Sequence, residues 1–74
     1  MSQLSASTLN INANYMGEQI PCQINNISWT GNNFTGSLDG ISVQGTDNNG
    51  NVTASGKYFG HSYTDSGVVT GWSN

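Results

Sequence analysis

Charge, cysteine and proline are all scarce in this chain of 74 residues. Lys57 is the only lysine, arginine is absent, and four carboxylates leave a net charge of −3 at pH 7. A nucleic-acid partner requires several phosphates to be neutralised, and one lysine cannot do this, so binding of that kind is excluded. An anionic membrane surface is excluded on the same ground. No apolar run approaches the roughly 20 residues with which a helix crosses a bilayer. The opening "MSQLSASTLN" has neither the basic nor the apolar region of a secretory leader, so a cytoplasmic or virion-associated setting is expected over a secreted one. Cys22 is the one cysteine, so no internal disulfide forms. A β domain this small without a staple has core burial and chain entropy nearly in balance, and a homo-oligomer is expected to supply the difference.

What the chain has in abundance is Asn, Gly, Ser and Thr, which fill 38 of the 74 positions. These residues disfavour long helices. Gly costs about 1 kcal/mol relative to Ala in a helix interior, and short polar side chains compete for the backbone's hydrogen bonds. Leu, Ile, Val and Phe number only fourteen. At so low a net charge they still suit a folded chain with a surface of amides and hydroxyls.

Alternation is the clearest pattern. In "TLNINANYM" Leu9, Ile11, Ala13 and Tyr15 share one parity and Asn10, Asn12 and Asn14 the other, which is a strand with a dry and a wet face. Gly17-Glu18 is expected to turn the chain into "QIPCQI", with Ile20, Cys22 and Ile24 inward and Pro21 marking an edge or bulge. Asn25-Asn26 breaks parity, so a bulge there would return Ile27 and Trp29 to the inner face. Turns are read at 31–33, at Asp39-Gly40 and at "DNNGN", with Phe34, Leu38, Ile41, Val43, Val52, Ala54 and Tyr58 inward. "DSG" at 65–67 reads as a further turn before a last strand carrying Val68 and Trp72 on one parity. The expectation is an all-β antiparallel meander of six or seven short strands closed into a barrel or sandwich. Residues 1–7 are expected to form a flexible segment ahead of a single domain over 8–74.

Lys57, Tyr58, His61, Tyr63 and Asp65 hold the polar groups of an acid–base site, yet strand parity puts Lys57 and Tyr58 on opposite faces. Lys57 is better explained as edge protection. With one His and no nucleophile elbow or phosphate loop, no enzyme is expected. One His and one Cys do not make a zinc site, and "DNNGN" lacks the downstream acid of a calcium loop, so neither metal nor cofactor is expected. Cys22 is read as a buried, inert thiol. The sequons at Asn26, Asn33 and Asn51 follow from composition.

The aromatics carry the functional reading. A thin core cannot hide every large ring, and rings beside Asn, Ser and Thr suit sugars or a neutral protein surface. The candidate binding residues are Tyr58, Phe59, His61, Tyr63 and Trp72. Two functions compete. One is a non-catalytic binding or assembly module for a glycan or a partner protein. The other is a small intracellular, phage-type accessory protein that inhibits a partner or sequesters a small ligand at a subunit boundary.

Overall fold

In the computed structural model, which describes residues 3–74 apart from the side chains of Gln3, Tyr15 and Tyr58, six antiparallel strands close into one barrel. They are β1 (Thr8–Tyr15), β2 (Glu18–Thr30), β3 (Asn33–Leu38), β4 (Ile41–Asn48), β5 (Asn51–Tyr58) and β6 (His61–Ser73). Each strand pairs with its neighbour in sequence, and β1 closes on β6. The barrel form holds and the sandwich does not. Residues 3–7 pack with the barrel: Gln3–Ser5 form a 3-10 turn, and Ala6 is fully enclosed in the core.

Two-residue turns make the meander possible. Asp39-Gly40 and Asn49-Gly50 have positive φ at both centres, the type I′ geometry that matches the twist of the flanking strands. Gly31 alone is positive in the Gly31-Asn32 turn, which fits type II′. The first turn is centred on Met16-Gly17, one residue earlier than Gly17-Glu18, because Tyr15 pairs with Glu18. Met16 and Phe59 occupy the left-handed position of their turns, at φ 50° each, where Asn or Asp is the usual choice.

Two bulges set which side chains face in. The β2–β3 register breaks between Asn25 and Ser28, with Asn26 at φ 54°, and this returns Ile27 and Trp29 to the core side. A second break lies opposite Asn10 and Ile11, where Thr70 is passed over between Val69 and Gly71. This bulge overturns the expected pairing of Val68 with Trp72. Val69 packs against the core, Val68 is half exposed on the outside, and Trp72 returns to the face of Leu9, its ladder partner.

The expected turn at 65–67 is absent, which is why there are six strands rather than seven. β6 runs straight through it. Gly67 serves close approach there: a Cβ would lie 2.5 Å from the Asn12 carbonyl oxygen and 3.0 Å from Ala13 Cα. Gly45 plays the same part between β4 and β5, where a Cβ would meet the Thr53 carbonyl and lie 2.8 Å from Phe34 Cζ.

Leu9, Ile24 and Val52 are the largest wholly buried side chains, joined by Ile11, Ala13 and Phe34. Trp29 closes one end of this core. Its indole N–H donates to the Ala6 carbonyl at 2.8 Å, and its ring lies 5.2 Å from that of Phe34. Asp47 is buried among these groups and accepts a hydrogen bond from the Gly50 N–H at 2.9 Å. Its role is to hold the Asn49-Gly50 turn.

The N-terminal half of β2, Glu18–Ile24, pairs with β1 alone, since β3 begins its ladder at Asn25. Pro21 falls on that singly paired stretch, in keeping with a residue that cannot donate to a second ladder.

Candidate functional site

Alternation sends every second side chain outward, and the ladder registers then decide which of them line up. Across the outer face, Ser28 lies opposite Thr35, Thr35 opposite Gln44, Gln44 opposite Ser55, and Ser55 opposite Thr64. These five side chains, each from a different strand, make one row from β2 to β6. A second row, Thr30, Asn33, Thr46, Thr53 and Ser66, runs beside it. Neighbours within a row are about 4.8 Å apart at the backbone, and the rows are separated by two residues, roughly 6.8 Å.

The rows sit in a hollow. The twisted outer face leaves two shallow grooves of about 510 and 1180 Å³, and both are lined by Thr35, Gln44, Ser55 and Thr64. The larger groove extends to Ser42, Lys57, Phe59 and Ser62 near the β5–β6 turn. The second row is partly self-satisfied: the Thr46 hydroxyl donates to Asn33 Oδ1 at 2.8 Å. The shared row is not. Thr35, Gln44, Ser55 and Thr64 make no side-chain hydrogen bond to another described residue. Hydroxyls and an amide in that state present donors and acceptors together.

The structure scatters the aromatic set read from the sequence. Phe59 stands at the end of the outer groove and is 83% exposed. Tyr63 shares the opposite, inner face with its ladder partner Gly56, and lines a cavity at the mouth of the barrel. His61 is exposed and lies opposite Tyr58 in the ladder; the Tyr58 side chain itself lies outside the described residues. Trp72 sits at the far end of the thirteen-residue β6 from His61. Lys57 is exposed and pairs with Ser62, on the face opposite His61, Tyr63 and Asp65. One acid–base centre therefore cannot use both Lys57 and His61.

Cys22 is half buried and donates weakly to the Ile20 carbonyl at 3.5 Å. Burial pushes its thiol up from the ordinary range, and the charges of Asp39 and Asp65 push the same way, so its thiolate is scarce near neutral pH. Among the described residues, no three of His, Cys, Asp and Glu gather where a metal ion could be shared.

The hydroxyl row was missed because no single strand announces it. Each strand contributes one outward Ser, Thr or Gln, an ordinary solvent-facing residue by itself. Compared with protein-family models, curated proteins and solved structures, the chain matches none.

Proposed function

We propose that this barrel is a non-catalytic binding module for an extended, neutral glycan laid across strands β3 to β6. The row Thr35, Gln44, Ser55 and Thr64 carries the reading: four adjacent strands present unspent hydroxyl and amide groups in register inside a groove. A sugar chain offers a matching series of groups that donate and accept. Phe59 at the groove's end supplies a flat apolar face of the kind sugar rings pack against. A single lysine beside the groove is too little for a polyanion, which favours a neutral chain.

Retardation in gels containing neutral polysaccharides, followed by titration calorimetry on the one that retards, tests this. Thr35→Val and Gln44→Ala each remove one hydrogen-bonding group from an exposed position, and each is expected to weaken binding roughly two- to tenfold. Wild-type protein that no neutral polysaccharide retards, or binding indifferent to both substitutions, would end the proposal.

A further inference from the structure

A further cavity lies on the inner face of the barrel. At the mouth, the inward positions include Ala13, Ala54 and Gly56, and these small residues leave a cavity of about 260 Å³. Its walls are Ile11, Ile24, Leu38, Ile41 and Val43. Inward strand positions are normally apolar, and β6 breaks that rule with Asp65, which faces Ala54 across the ladder and lines the cavity. Asp47, also at an inward position, is spent on the Asn49-Gly50 turn. Asp65 is not engaged in this way, and its carboxylate makes no hydrogen bond or ion pair with a described residue. Asp39 lies close enough to act on Cys22 together with Asp65, so the mouth is electronegative. Lys57, the only lysine, points to the outer face.

The geometry points to a binding site for a small apolar amine, its hydrocarbon body in the cavity and its ammonium on Asp65. The volume lies just below the roughly 300–1,000 Å³ of drug-sized pockets, which sets the ligand at fragment size. An apolar carboxylate is repelled by Asp65, and an alcohol of the same shape gains only the apolar contact. This site is on the opposite face from the hydroxyl row and stands or falls separately from it.

Cyclohexylamine, cyclohexanol and cyclohexanecarboxylate serve as probes, with two readouts on the full chain: protection of Cys22 from alkylation and amide shifts of Ile11, Ile41 and Tyr63. The amine is expected to bind about two- to fivefold tighter than the alcohol, since Asp65 is solvent-exposed, and the carboxylate weakest. Asp65→Asn should bring the amine down to the alcohol, while Asp39→Asn, which is outside the cavity lining, should leave most of the preference. Equal binding of the three probes to wild-type protein overturns the proposal without recourse to any variant. So does an amine preference that survives Asp65→Asn. Cys22 protection that rises with protein concentration and is untouched by the amine would mean that a second copy covers the mouth, and the proposal fails then too.

Discussion

Replacing Phe59 by Asn tests the groove reading against the ordinary expectation that losing a large apolar side chain harms a small fold. Phe59 is 83% exposed. A wholly buried aromatic hides roughly 150–250 Å², so the small shielded part of this ring contributes at most about 1 kcal/mol at ~25 cal/mol per Å². Against that stands its backbone, held at φ 50°. A left-handed conformation costs a residue with a Cβ roughly 1–2 kcal/mol, and Asn tolerates it better. The two effects nearly cancel, with the balance on the side of Asn. Phe59→Asn is therefore expected to leave stability unchanged or raise it by up to about 1 kcal/mol, a rise in Tm of at most ~8 °C. Phe34→Ala is the yardstick: Phe34 is 3% exposed, and its loss should cost about 3–5 kcal/mol. Thermal melts followed by circular dichroism measure both, and the glycan titration measures the second half of the expectation, a several-fold loss of affinity in Phe59→Asn. A fall in Tm beyond ~8 °C would show that Phe59 holds the fold together. Unchanged affinity would remove it from the site.

Two further predictions concern other parts of the barrel. Gly67→Ala should destabilise by about 1–3 kcal/mol in urea titration, because its Cβ would press on the backbone of Asn12 and Ala13. Gly71→Ala, which would meet only Asn10 Nδ2 at 3.6 Å, should be neutral or stabilising by up to ~1 kcal/mol, and equal effects at both sites would refute the close-approach account. Self-association should appear in sedimentation equilibrium as a mass above 7.8 kDa at micromolar concentration, reduced by Trp72→Ala, since Trp72 is 46% exposed beside a thin core; a stable folded single chain would refute it.

Much of the architecture could be read without coordinates, because it rests on local chemistry. The Leu9-Ile11-Ala13 alternation, the Asp39-Gly40 turn and the bulge at Asn25-Asn26 each follow from residues within a few positions of one another. The errors have one origin. Asp65-Ser66-Gly67 has turn composition, yet pairing with β5 and β1 holds it extended. The Thr70 bulge, which exchanges Val68 for Val69 on the inner face, has no marker in the nearby sequence. Of the aromatic set, Phe59 lies at the end of the outer groove, whereas Tyr63 and Trp72 occupy other parts of the barrel.

By itself, then, the sequence determined an all-β chain with short turns and low charge. Those properties depend on composition and on neighbours along the chain. Tertiary structure decided the rest: that β1 closes on β6, that Thr35, Gln44, Ser55 and Thr64 stand in one row, and that Asp65 shares a cavity with Ile11 and Ile41. The reason is register. It brings together residues tens of positions apart, and one bulge exchanges the inner and outer faces of everything beyond it.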